Sequence, residues 1–169
     1  ITYLPIIKLI GMKISDYLKG AFEPWLIAFT TCSSAAALAV NLEASRKMGA
    51  SKAIASFAIP LGNTINMNGT SIYMGVTAVF AAEVFGIDLT LAQHFQIVLM
   101  GVLAAVGTAG VPGAGLIMTT LVFTEVGIPL EAVALIAGID RILDMIRTSV
   151  NVLGDSLTAL VVSKSEGVL

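Results

Sequence analysis

Asp140, Arg141, Asp144, Arg147 and Asp155 crowd five ionised side chains into one stretch, "DRILDMIRTSVNVLGD". On a helix turning about 100° per residue, Asp140, Asp144, Arg147, Thr148, Asn151 and Asp155 fall within an arc of roughly 100°, with Arg141 at its edge. Leu143, Met145, Ile146, Val150, Val152 and Leu153 take the remaining surface. An acid and an arginine on one wet face can hold the two ends of a zwitterion, and Thr148 and Asn151 extend that face with groups suited to ligand contacts. The competing reading is a set of Asp–Arg pairs that only fasten helices together.

The stripe must be placed by its surroundings, and these are apolar. The chain of 169 residues is 57% hydrophobic and 12% charged, with a mean hydropathy of +0.95; a soluble domain carries about 25% charged residues. These values predict a chain in lipid. One ionised residue at the centre of a membrane helix costs on the order of 2.5–3.5 kcal/mol, so a stripe of several must face protein or water. A net charge of -2 with no basic run argues against a nucleic-acid partner. Cys32 is the one cysteine, which excludes an internal disulfide and a cysteine-rich zinc site. His94, the one histidine, reads as a loop residue. With no nucleophile–base pair or metal cluster visible, the expectation is not an enzyme. The opening "ITYLPIIKLIG" starts in mid-pattern and reads as part of a larger membrane protein.

Lys and Arg orient the segments. They fall at 8, 13 and 19, at 46, 47 and 52, and at 164, apart from the two in the striped stretch, whereas "AEVFGIDLTLAQH" (82–94) and "TEVGIPLE" (124–131) hold acids only. By the positive-inside rule the first group is cytoplasmic and the second external. Residues 1–19 then read as the end of a preceding helix and a cytoplasmic loop. Residues 20–45 leave by the face they came from, as a re-entrant hairpin bending at "TTCSS" (30–34). Residues 53–82 cross, broken at "NTINMNGT" (63–70). Residues 95–124 form a second hairpin from outside, bending at "GTAGVPGAG" (107–115), and a last helix, 132–162, carries the stripe. The expected fold is an all-α membrane protein with two opposed re-entrant hairpins. Irregular backbone at membrane depth survives only where protein or water covers it, so the three breaks should converge on one polar site, as in secondary transporters.

"NMNGT", "GTAGVPGAG" and "DMIRTSVNVLGD" resemble, in this order, the motifs of the sodium-coupled glutamate/aspartate transporter family (dicarboxylate/amino acid:cation symporters), over about residues 11 to 169. The resemblance implies that these residues are the transport core, and that the scaffold helices with most trimer contacts lie outside them. It implies substrate binding by Ser33 and Ser34 at the first hairpin tip (the α-carboxylate), Asp144 (the amino group), Arg147 (the side-chain carboxylate), Thr70, Thr148 and Asn151, with Gly115 in the gating second hairpin. It implies sodium at Gly62, Asn66, Asn151 and Asp155, and a second ion between Thr64 and Ala105, Val106 and Thr108. Asn68 stands where the family motif "NMDGT" has an acid expected to help hold a further sodium. Cys32 stands where Ser or Arg is usual, and "AAALA" (35–39) replaces a stretch bearing Gly, Thr and Pro.

The implied function is sodium-driven symport of an acidic amino acid across the plasma membrane, by a homotrimer in the full-length protein. The alternatives are a cystine or C4-dicarboxylate carrier of the same fold, and an ion channel. Asp144 argues for a substrate with an amino group and so against the plain dicarboxylates.

Overall fold

The structure, a computed structural model, describes residues 2–169, whose regular structure is helical, with no strand among them. Ten helices follow in chain order: α1 (Tyr3–Leu9), α2 (Ile14–Gly20), α3 (Phe22–Thr31), α4 (Ser34–Lys47), α5 (Lys52–Ile65), α6 (Asn68–Val84), α7 (Leu91–Val106), α8 (Ala114–Val126), α9 (Glu131–Ala137) and α10 (Asp140–Ser165).

The boundaries have local causes. Cys32 ends α3 in the left-handed conformation, φ 55°, a region that residues other than glycine rarely visit. Ser33 starts α4 by accepting a hydrogen bond from the Ala36 N–H at 3.2 Å, the usual service of an N-cap serine. The turn between the two helices is therefore only Cys32 and Ser33. Ser51 caps α5 in the same way through Ile54 N–H, 3.3 Å. Between α5 and α6, Asn66 and Met67 leave the helical region, with ψ of 65° and 48°. Thr90 and Gln93 form a capping box at the start of α7. Gly113, φ 76°, precedes α8, and Gly127, φ 83°, ends it.

Several segments differ from the sequence expectation. The stretch expected as one helix over 132–162 is divided at Gly138 and Ile139 into α9 and α10; glycine is a poor helix former. The expected loop within 1–19 contains the helix α2, and the arms of the two hairpins run past the expected limits to Lys47 and back to Leu91. Arg46 and Lys47 close the last turn of α4, where cations favour the helix dipole.

The packing is centred on α10, which lies against α3, α4, α5 and α6, while α3 packs on α4 and α7 on α8. One apolar cluster joins Met74, Ala78, Phe123 and Ile136; another joins Ile7, Tyr17, Ile59 and Leu160. The polarity of α10 is reversed from that of a soluble protein. Asp144 and Asp155 are each 2% exposed and Arg147 5%, whereas Ile142 and Ile146 are 62% and 52% exposed. Large apolar side chains also cover the outside elsewhere, among them Phe57, Phe95, Val98 and Ile117. Among the described residues no single helix is both long and apolar enough to cross a membrane. α10, with 26 residues, reaches about 39 Å at 1.5 Å per residue, so it falls short in apolarity and not in length.

Candidate substrate and ion site

The three helix breaks meet on the buried face of α10. Asp144 is the hub. Its Oδ1 receives Arg147 Nη2 at 2.6 Å and the Thr148 hydroxyl at 2.9 Å. Its Oδ2 accepts the backbone N–H of Gly113 at 2.8 Å, from the α7–α8 turn. The Arg147 guanidinium lies over the Tyr73 ring, 4.6 Å from its centroid, a favourable cation–π placement. The Tyr73 hydroxyl in turn donates to Asp140 at 2.7 Å. Arg147 Nη1 is buried with no hydrogen-bond partner. The guanidinium is thus paired to Asp144 through one nitrogen and keeps one donor unanswered on another.

Two glycines make that arrangement possible. A Cβ at Gly115 would collide with the Arg147 guanidinium, and one at Gly69 would collide with the Arg147 backbone carbonyl. Gly69 lets the start of α6 touch α10, and Asn151 fastens it there: its Oδ1 accepts the Gly69 N–H at 2.7 Å and its Nδ2 donates to the Thr70 hydroxyl at 3.1 Å.

The tips of the two helix pairs touch each other. The Gly110 carbonyl accepts the Ser33 hydroxyl at 2.9 Å and the Ala35 N–H at 3.3 Å. Beneath them Cys32, Ser34, Thr70, Thr108, Arg147 and Asn151 are among the residues lining a small cavity, with about 10 Å³ open to the centre of a water molecule. That is about the room one water needs. An amino acid does not fit in a cavity of this size.

One layer along α10, Asp155 is buried and accepts from the Asn66 amide at 2.9 Å. The ion pairs among the described residues are Lys47–Glu43 and Arg147–Asp144, and Asp155 belongs to neither. The α5 backbone comes close to it at Gly62, where a Cβ would lie 2.5 Å from Asp155 Oδ1. Asn68, exposed, donates to Asn66 Oδ1 at 2.8 Å and to the Tyr3 hydroxyl at 3.0 Å.

The structure thus brings Ser34, Thr70, Gly115, Asp144, Arg147, Thr148 and Asn151 to one place, with Ser33 at its roof. Gly62, Asn66, Asn68 and Asp155 form an adjoining group. Thr108, expected beside an ion, lines the small cavity next to Arg147 and Asn151. Thr64 is exposed and its hydroxyl donates back to Leu61 of its own helix. Ala105 directs its carbonyl to Thr108 N–H, and Val106 is exposed. These four are not joined by any hydrogen bond from Thr64 to the others. Sequence reasoning missed Tyr73, Gly69, Gly113 and Tyr3. Tyr73 meets its partners across more than sixty positions of chain, so no local spacing marks it; Gly69 was visible only as a turn glycine.

The sequence profile of the sodium:dicarboxylate symporter family matches residues 1–165. A proton/sodium-glutamate symport protein of Bacillus caldotenax is 41% identical over 162 residues, covering 96% of this chain and 38% of the relative. The proton/glutamate-aspartate symporter of Escherichia coli strain K12 is 37% identical over 161 residues, 95% of this chain and 37% of the relative. Human excitatory amino acid transporter 2 is 39% identical over 170 residues, 97% and 30%. The chain spans less than two fifths of the length of these relatives. A match running almost end to end, over the same residues that build the buried charged site, settles its kinship: the chain belongs to the sodium:dicarboxylate symporter family.

Proposed function

We propose that these residues are the transport core of a sodium-coupled symporter for an acidic amino acid, aspartate or glutamate. The observation that carries this reading is the buried Arg147–Asp144 pair, opposite charges side by side under two touching helix tips. The relatives named as glutamate, glutamate–aspartate and excitatory amino acid transporters agree with it.

The substrate side-chain carboxylate binds Arg147, whose planar fork can give two parallel hydrogen bonds. The amino group takes Asp144. The α-carboxylate sits at the amino end of α4, at Ser33 and Ser34, where backbone N–H groups and the helix dipole favour an anion. Thr70, Thr148 and Asn151 complete the pocket. For a substrate to enter, the α7–α8 turn lets go of Asp144 and Ser33, and it closes again over the bound molecule, which takes Arg147 from Asp144. That turn is the gate.

Sodium is cargo. Asp155, buried with no cationic side chain paired to it, supplies the charge, and Gly62, Asn66 and Asn151 supply backbone oxygens, hard donors that suit a hard cation. A second ion sits between Thr64 and Ala105, Val106 and Thr108.

In the plasma membrane, α3–α4 and α7–α8 are re-entrant hairpins from opposite faces, α5 and α6 cross together, and α10 crosses with its charged stripe inward. The exposed apolar side chains support this placement, since a contiguous apolar exterior belongs against lipid or other helices. The full-length protein is a homotrimer in this reading. The test is uptake of aspartate, glutamate, cystine and succinate by the full-length protein in vesicles, each with and without sodium. Sodium-dependent, saturable aspartate or glutamate uptake is expected; succinate or cystine moving in their place removes the substrate assignment.

A further inference from the structure

The stripe of α10 holds one arginine that the substrate site does not use. Arg141 is exposed, and its Nη2 donates to the Thr30 carbonyl at 3.2 Å. Its own carbonyl lies 3.9 Å from the Cys32 thiol. Both contacts reach the carboxyl end of α3, immediately before the turn that carries Ser33 and Ser34.

A helix leaves its last carbonyls without partners inside the helix. In α3 the Ala28 carbonyl is taken by Cys32 N–H. The Thr31 hydroxyl turns back to Ile27 and also receives Ser33 N–H at 3.2 Å. Thr30 is served from another helix, by Arg141. A cation there also meets the negative end of the α3 dipole. Cys32 meanwhile sits in a left-handed conformation without being glycine, which persists only when surroundings enforce it.

We propose that Arg141 is a positioning residue: by capping α3 across the gap to α10, it holds the Cys32–Ser34 turn in the shape that receives the substrate α-carboxylate. The inference rests on the symporter reading for what the turn receives, but not for the clamp itself. Because Arg141 lies on the same helix as Asp144 and Arg147, it fixes the distance between the two ends of the substrate site.

The test uses the full-length protein in proteoliposomes, with Arg141→Ala and Arg141→Lys. Aspartate KM and Vmax are measured, and maleimide alkylation is followed at Cys32 by mass spectrometry. For Arg141→Ala, KM should rise about ten-fold, the size expected for losing one hydrogen bond to a charged group, with Vmax little changed. Cys32, 1% exposed in the intact site, should alkylate several-fold faster. Arg141→Lys should restore both readouts in large part. If Arg141→Ala fails to assemble, Arg141→Met, which keeps the stem, carries the comparison. Unchanged KM and unchanged Cys32 alkylation overturn the proposal, as does a loss of Vmax at constant KM. If the wild-type protein moves no acidic amino acid, the symporter reading falls, and Cys32 alkylation alone still judges the clamp.

Discussion

Arg147 touches an acid, an aromatic ring and two glycine-opened gaps at once, so its replacement is not a local loss. Arg147→Cys strands Asp144 as a buried acid facing Thr148 and Gly113. Truncating one member of a buried charge pair costs roughly 2–5 kcal/mol. Affinity for aspartate or glutamate should fall by that amount, and small neutral amino acids should gain relative to them; competition uptake assays with unchanged selectivity would take Arg147 out of the pocket. Asn68 is the second informative residue. Its amide nitrogen donates to Asn66 Oδ1, filling with a hydrogen the gap that a cation would bridge. An aspartate there would set two acceptors against each other and draw a cation between them. We expect the natural Asn68 protein to couple one sodium fewer, or to hold the third more weakly, than Asn68→Asp. Uptake against sodium concentration should give the lower Hill coefficient for the natural protein, and reversal potentials the smaller ratio of sodium to substrate. Equal ratios and equal sodium affinity would end this idea.

At the scale of elements, the α7–α8 turn lies between the proposed substrate and ion sites. Gly110 ties it to the first tip and Gly113 ties it to Asp144, while α7 ends at Ala105 and Val106 beside the proposed ion position. An ion and a substrate that both favour the closed turn must raise each other's affinity by the same factor. Aspartate should therefore bind more tightly in sodium than in choline, and sodium more tightly with aspartate; identical aspartate affinity in both buffers contradicts the coupling. Much of this architecture was legible in the sequence. A helix break falls inside each expected stretch: at Cys32 and Ser33 in "TTCSS", at Asn66 and Met67 in "NTINMNGT", and between Val106 and Ala114 in the glycine-rich 107–115. Ser and Asn offer the backbone alternatives to helical bonding, and glycine is a poor helix former. The stripe on α10 was legible because charge in an apolar chain has few places to go. What escaped was set by packing. The division at Gly138 rests on a single glycine inside an apolar run. The start of α7 was written in Thr90 and Gln93, a signal that an expectation built on hydropathy passes over. Tyr73 and Gly69 take their meaning from contacts with α10, which no spacing within α6 reveals.

For the molecule as a whole, the distribution of polarity predicts how it behaves outside its setting. Phe57, Phe95, Ile117 and Ile72 stand exposed while Asp140, Asp144 and Asp155 lie inside. Expressed as residues 1–169 alone, the chain should stay dispersed only in detergent or lipid, and light scattering after detergent removal should show aggregation. A dispersed monomer in plain buffer would contradict the lipid-facing assignment of this surface.

In the proposed symporter, finally, the Asp144–Arg147 pair makes the site behave as a logical AND. Each charge is paired with the other at 2.6 Å, so a molecule offering only an amine breaks that pair and leaves the arginine unanswered. A molecule offering only a carboxylate does the same to the aspartate. Either partial guest trades one good bond for another and adds a stranded charge in a closed space. A guest with both charges at the right separation exchanges one internal pair for two external ones. Selection against simple amines and simple acids is then written into the resting pair itself, before any question of shape arises.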